Sequence, residues 1–355
     1  MRGRGRIFFL TVLALFCLLG GTGTALGAWD PRHNDGGIYD EKEYQEISII
    51  TGKPILLKGT YRHSEGGRSS RGGGGSSSVN YRLENKEEGI VLTRNISYST
   101  EEEEKGDQII WVTRVNSFSE NIRAGKDNYR LDDFQFSKSI ITDKKPAVDY
   151  FSGSWTGRKT YKVNNTAGEI VVSFQGETVG YDNSWGNTET QRIWGNISFD
   201  GDVTFEEEVH HDKWSGTFHA DVTYNKIKHI RYQENEPQQI SFPGGHVLVE
   251  EEDHSLKFMS ELPLRDGRGL ARGGWDTRRF NLNMKSAPTY ERLPVHFLRD
   301  MSNHWAKGDV ELLYGLGIFS GGEYFGPGAP MTRGEFSRSL ARALKPIRCR
   351  ARSKS

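Results

Sequence analysis

Cysteine is almost missing from this chain: Cys17 and Cys349 are the two in 355 residues. Cys17 lies in an N-terminal apolar run, and once that run is removed a single cysteine remains. An intramolecular disulfide is then excluded, and stability has to come from size and packing. Charge of one sign is missing too, since 47 Lys and Arg balance 47 Asp and Glu. No global field selects nucleic acid or membrane as a partner. After Leu19 no segment is apolar over the roughly 20 residues that a membrane helix needs. Helical periodicity is nearly missing between residues 29 and 290. The G-x-S-x-G, P-loop, dinucleotide, EF-hand and H-E-x-x-H patterns are all missing. No motif therefore points to an enzyme, and none implies a cofactor.

What is present begins with Arg2, Arg4 and Arg6, the apolar run Ile7 to Leu19, and small residues around Ala25-Leu26-Gly27-Ala28. This is the three-part layout of a secretory signal over residues 1–28, with cleavage expected near Gly27 or Ala28. Cys17 follows Phe16, where a lipid-anchor site wants a small residue, so a lipoprotein reading is disfavoured. No membrane association is expected after cleavage. The remainder, in a chain with 35% hydrophobic and 26% charged residues, is long enough for about two domains.

From Trp29 to about Tyr290 apolar and polar residues alternate with period two, which predicts half-buried antiparallel strands. Segments such as Tyr44 to Ile50, Gly89 to Tyr98, Tyr129 to Ile141, Thr190 to Ser198 and Trp214 to Tyr224 carry the pattern. Turn signals at Lys86-Glu87-Glu88-Gly89, Asp200-Gly201 and Pro243-Gly244-Gly245 separate strands. Ser64 to Ser78, with four consecutive glycines from Gly72, reads as a flexible hairpin loop. Glu101 to Asp107 reads as a charged hairpin tip, and Asp266 to Gly274 as a long loop before a last extended segment, Trp275 to Met284. The expected fold is mainly β: a large antiparallel meandering sheet that is open, curled or sandwiched.

Two acid and histidine clusters, Glu206 to Asp212 and Glu250 to His254, were weighed as metal sites. Both lie in strand-like sequence, where neighbouring side chains point to opposite faces. Solvated strand ends explain them better, and no metal site is assigned. Trp155, Trp185, Trp194 and Trp214 are available for sugar stacking, with burial the simpler account of most. Trp185, within Asp182 to Thr188, is the exposed candidate. The sequons at Asn95, Asn164 and Asn196 are given no role.

The C-terminal part has a different period. Thr332 and Glu335 form a T-x-x-E capping box flanked by Met331 and Phe336 as a hydrophobic staple. Phe336, Leu340 and Leu344 then repeat every four residues, with Arg338 and Arg342 towards water, ending before Pro346. Upstream, Val310, Leu313 and Tyr314 share helical spacing, and Gly315 and Gly317 suggest a glycine C-cap. The segment reads as helix, Gly/Pro-rich loop, helix. A hairpin this small buries little apolar surface and needs neighbours.

The order Phe297, Asp300, His304-Trp305-Ala306, Gly317-Ile318, Gly321, Phe325, Pro327 and Thr332-Arg333-Gly334-Glu335-Phe336 resembles the S-layer homology repeat. That family shows F-x-D, HWA, GI-x-x-G, F-x-P and TRAEF. Family members normally carry three tandem repeats, whereas one is visible here, followed by a basic tail. The divisions expected are a signal (1–28), a β-rich domain (29–290), the repeat (291–346) and the tail (347–355).

The resemblance implies a secreted bacterial cell-wall or cell-surface protein, tethered non-covalently to a pyruvylated secondary cell-wall polysaccharide. Arg333 would bind the ketal carboxylate, Asp300 and Trp305 would shape the groove, and Gly321 would allow close backbone approach. Thr332 and Glu335 are read as caps rather than ligands. One alternative is a structural surface-layer protein that associates with itself or with other repeat-bearing surface proteins. Another is a wall-tethered glycan-binding protein or hydrolase.

Overall fold

The computed structural model describes residues 37–40, 43–68, 75–235 and 244–344. The signal segment with Cys17, residues 72–74 of the glycine run, Pro243, Pro346, Cys349 and the basic tail lie outside the described residues.

The period-two pattern is answered by fourteen strands: β1 (Ile38–Asp40), β2 (Glu43–Ser48), β3 (Ile55–Arg68), β4 (Gly75–Asn85), β5 (Ile90–Lys105), β6 (Gln108–Ala124), β7 (Asp127–Asp143), β8 (Val148–Val163), β9 (Gly168–Asn183), β10 (Gly186–Phe205), β11 (Glu208–Gln233), β12 (Gly245–Arg265), β13 (Ala271–Lys285) and β14 (Thr289–Arg292). They form one sheet in sequence order from β1 to β13, with β14 folding back onto β12. Every ladder is antiparallel, as short turns between neighbours require.

The sheet curls until its first strand meets its last ones, giving a nearly closed barrel. The Tyr224 hydroxyl on β11 donates to the Gly37 carbonyl at 2.8 Å, and His254 Nδ1 on β12 lies 2.6 Å from the Tyr39 carbonyl oxygen. The Tyr39 ring sits 5.7 Å from that of Tyr224 and 4.3 Å from that of His254. Apolar members of the alternation, including Leu57, Leu83, Leu92, Ile122, Trp155, Ile197 and Leu256, point inward and form one continuous core. Each such side chain contributes roughly 1.5–3 kcal/mol by leaving water. Outward positions are mostly charged or small and polar, as along β10 at Arg192, Asn196, Ser198 and Asp200.

Several strands run longer than the sequence pattern suggests. β10 continues through Asp200-Gly201, and the hairpin instead turns at Glu206-Glu207, whose φ values are +46° and +70°. Both are left-handed, as a two-residue type I′ turn demands. The segments Trp214 to Tyr224 and Lys226 to Tyr232 are parts of one strand, β11, as are His246 to Glu251 and Leu256 to Leu262 of β12. Their polar junctions stay in the ladder because cross-strand ion pairs hold them: Lys226 Nζ lies 2.9 Å from Glu250 and 2.5 Å from Glu252. Ser64 to Arg68 and Gly75 to Ser78 are strand rather than loop, Glu101 to Lys105 belongs to β5, and Ala271 to Gly274 to β13.

One ladder is incomplete. β6 and β7 pair from Gln108 to Thr113 and again from Asn121 to Ala124, in the same register, with no pairs between. Inside the barrel, the guanidinium of Arg94 lies between Glu46 and Glu120, and Glu120 also accepts the Tyr161 hydroxyl.

Candidate functional site

After β14 the chain packs Leu298, Met301, Val310 and Tyr314 into a second, small core, separate from that of the barrel. Helix α1 (Lys307–Gly315) and helix α2 (Arg333–Ala343) are the two helices there, preceded by a 3₁₀ turn at Arg299–Met301. α1 ends as its glycines require: Gly317 has φ +71°, and the Ile318 N–H donates back to the Leu313 carbonyl. The buried apolar anchor of the F-x-D segment is Leu298, while Phe297 is 74% exposed. Asp300 therefore stands two residues after the buried side chain, the spacing of F-x-D, with Leu298 rather than Phe297 in the first place.

Asp300 is a connector. Its carboxylate accepts the Phe325 N–H at 3.0 Å and the Gly326 N–H at 2.6 Å, pinning the F-x-P loop to the start of the repeat. Those two backbone bonds hold its carboxyl below the usual aspartate range. Arg299 adds a second tie to the same loop, with Nη2 2.7 Å from Glu323. Phe325 and Phe319 close around the Tyr314 ring at centroid distances of 6.5 and 5.9 Å. Gly321 approaches the same tyrosine: a Cβ there would stand 3.1 Å from its hydroxyl oxygen.

The second helix begins as its sequence dictates. Glu335 N–H donates to the Thr332 hydroxyl at 3.2 Å, and the Glu335 carboxylate accepts the Thr332 N–H at 2.8 Å. This closes the capping box and, with the Thr332 hydroxyl bond, draws the Glu335 carboxyl below its ordinary value. Arg333, in the first turn, is exposed and makes no hydrogen bond or ion pair among the described residues. Trp305 is 87% exposed, with its ring centroid 5.5 Å from that of His304. Of the sequence-picked residues, Asp300 and Gly321 thus build the loop around Tyr314, whereas Arg333 and Trp305 are open to solvent. Sequence reading placed Arg342 towards water, but its Nη1 donates to Ser320 Oγ at 2.9 Å and to the Ile318 carbonyl at 3.3 Å. It ties α2 to the loop after α1, a link with no local sequence signal because it spans more than twenty residues.

The apolar stripe of α2 has no cover among the described residues. Phe336 is 59% and Leu340 50% exposed, with Met331 and Leu344 also open. In the barrel, Trp155 and Trp214 are buried, and Trp185 stands at the tip of the β9–β10 hairpin, 50% exposed. His210 Nε2 lies 3.4 Å from Glu208, His211 Nδ1 3.1 Å from Asp202, and His254 is inside the barrel.

No curated protein and no solved structure matches this chain. Residues 298–337 match the family model described as the S-layer homology domain, which associates the protein in general terms with the cell surface and cell wall. The helical unit closing the described chain is a single S-layer homology repeat.

Proposed function

We propose that this is a secreted bacterial surface protein whose repeat tethers it non-covalently to a pyruvylated secondary cell-wall polysaccharide, with the barrel as the displayed cargo. Residues 1–28 act as the export signal, 29–290 as the displayed domain and 291–346 as the anchor. The observation that carries the reading is the family match over residues 298–337, joined to an unpartnered Arg333 in the first turn of a capped helix. A guanidinium there adds its charge to free backbone N–H groups, a setting that favours a carboxylate. Trp305 offers an open indole face for a sugar ring, Asp300 and Gly321 shape the loop beside it, and Thr332 and Glu335 hold the helix start. Trp185 supplies a separate stacking face on the barrel. The test is co-sedimentation of the full chain with bacterial sacculi before and after acid extraction of the secondary polymer. Pelleting should occur only before extraction; equal pelleting on both would reject the polymer as the ligand.

A second reading concerns assembly. The uncovered stripe of Met331, Phe336, Leu340 and Leu344 favours packing against repeats of other chains, because a lone helical hairpin buries too little surface. Sedimentation velocity should show oligomers that Leu340→Lys reduces to monomers. A monomeric wild type across the micromolar range would exclude it.

A further inference from the structure

The barrel wall has a window. No ladder pairs form between residues 114–120 of β6 and 131–137 of β7, although Thr113 faces Lys138 above and Asn121 faces Arg130 below. Each strand carries an irregularity against its other neighbour, between Ser97 and Tyr98 for β5–β6 and between Leu131 and Asp133 for β7–β8. An extra residue on one side of a ladder bends the strand. The two strands bow apart and leave backbone N–H and C=O groups without a ladder partner.

Phenylalanines fill the window from within. Phe118 and Phe134 meet edge to face at 4.4 Å, and Phe136 stacks behind Phe134 at 5.8 Å. Phe136 lies 6.4 Å from Phe174 and Lys159 Nζ 4.9 Å from the Phe118 ring, and both partners line a cavity of about 100 Å³ whose walls are apolar at Val172, Ile193, Phe218 and Phe258 and charged at Arg94, Glu46 and Glu120. In front lies an outer groove of about 640 Å³ lined by Asn95, Ser119, Asn121, Arg123, Lys126 and Arg130. Glu120 borders both spaces.

The groove is basic. Arg123, Lys126 and Arg130 make no ion pair among the described residues, and the half-buried Asp127 carboxylate beside them accepts from Asn164 Nδ2 at 2.9 Å. Glu120, the other acid there, is already neutralised by Arg94 and Lys159. The buried Oδ1 of Asn128 also borders the groove and lacks a hydrogen-bond partner.

We propose that the β6–β7 window is a side entrance for an amphipathic anion of the fatty-carboxylate kind. Its head sits on Arg123, Lys126 and Arg130, and its tail displaces Phe118 and Phe134 to reach the cavity. The cavity lies between the space of one water and the roughly 150 Å³ that holds benzene. It therefore accepts only the end of a short chain, and affinity should rise about fourfold per methylene and then level off.

The test is calorimetric titration of the full chain with straight-chain carboxylates from hexanoate to tetradecanoate, each below its micelle concentration, beside the alcohols of equal length. The expected result is carboxylate binding that strengthens with length to a plateau, with alcohols at least tenfold weaker. The surface variant Arg123→Gln/Arg130→Gln, which leaves the core untouched, should weaken carboxylates about tenfold and leave alcohols unchanged. Phe134→Trp, enlarging the plug, should remove the length dependence. Equal binding of acids and alcohols, no binding at any length, or undiminished binding by the arginine variant would overturn the proposal. So would an extended heptapeptide that binds in the window while carboxylates do not, which would make the gap a strand-insertion site.

Discussion

Replacing Arg94 with methionine should destabilise the barrel by about 3–5 kcal/mol, because it takes the shared guanidinium away from two buried carboxylates. Arg94 Nη1 and Nη2 lie 2.8 and 2.9 Å from the two oxygens of Glu46, and Nε donates to Glu120. All three side chains are at most 5% exposed, so water cannot take over the lost partner. Burial alone would raise the Glu120 carboxyl, but Arg94, Lys159 and the Tyr161 hydroxyl outweigh it and lower the group from 4.5 to about 2. A depressed carboxyl stabilises the fold fully above its unfolded value and loses that contribution as pH falls through the folded value. In the wild type about 3 kcal/mol should therefore disappear between about pH 4.5 and pH 2. In Arg94→Met the slope reverses above pH 4, since buried carboxylates that have lost their guanidinium partner prefer to be protonated. Urea unfolding followed by the fluorescence of buried Trp155 and Trp214 measures both effects. Adding Glu46→Gln and Glu120→Gln to Arg94→Met should recover most of the loss at pH 7. A single variant within about 1 kcal/mol of wild type at pH 7, or a deficit that grows towards pH 4, would refute the reasoning.

Asp182 gives the opposite pH signature: burial, then the neighbouring Asp149, push its carboxyl up to about 6. A raised carboxyl costs stability as pH rises through that value, so Asp182→Asn should stabilise by about 1–2 kcal/mol at pH 7, after discounting its partial exposure, and not at all near pH 4. At the β10–β11 tip, Glu206→Asn with Glu207→Gly relieves left-handed strain and should raise stability by about 1 kcal/mol or more in urea unfolding; a loss would show that the side chains hold the turn. Asp300→Asn removes the charge accepting the Phe325 and Gly326 N–H groups. Hydrogen exchange at those two amides should quicken about tenfold, while unchanged exchange would remove Asp300 from its connecting role.

Much of the architecture was legible because period two survives in almost every strand and because the Thr332–Glu335 box and the Gly317 stop are local signals. The strand joints were misplaced where local chemistry and tertiary pairing disagree. Asp200-Gly201 has ideal turn residues yet lies mid-strand, with Gly201 facing Gly168 across the ladder, while two glutamates make the actual turn. The polar run Glu250 to Asp253 reads as a strand end because its lysine partners, Lys226 and Lys228 on β11 and Lys285 on β13, are distant in sequence. In the repeat, local order located the helices but not the roles: Asp300 spans to Phe325 and Arg342 to Ser320, contacts that no spacing rule contains. The β6–β7 window left no trace beyond three phenylalanines, since a missing ladder is a property of two strands together.

Arg333 is the proposed holder of an acidic wall glycan. Calorimetric titration of the full chain with purified pyruvylated secondary wall polymer, against the same polymer with its ketals hydrolysed, tests it most directly. Binding should occur to the intact polymer alone and weaken at least tenfold in Arg333→Ala, with the fold unchanged by circular dichroism. Equal affinity for both polymers, or for wild type and Arg333→Ala, would contradict it.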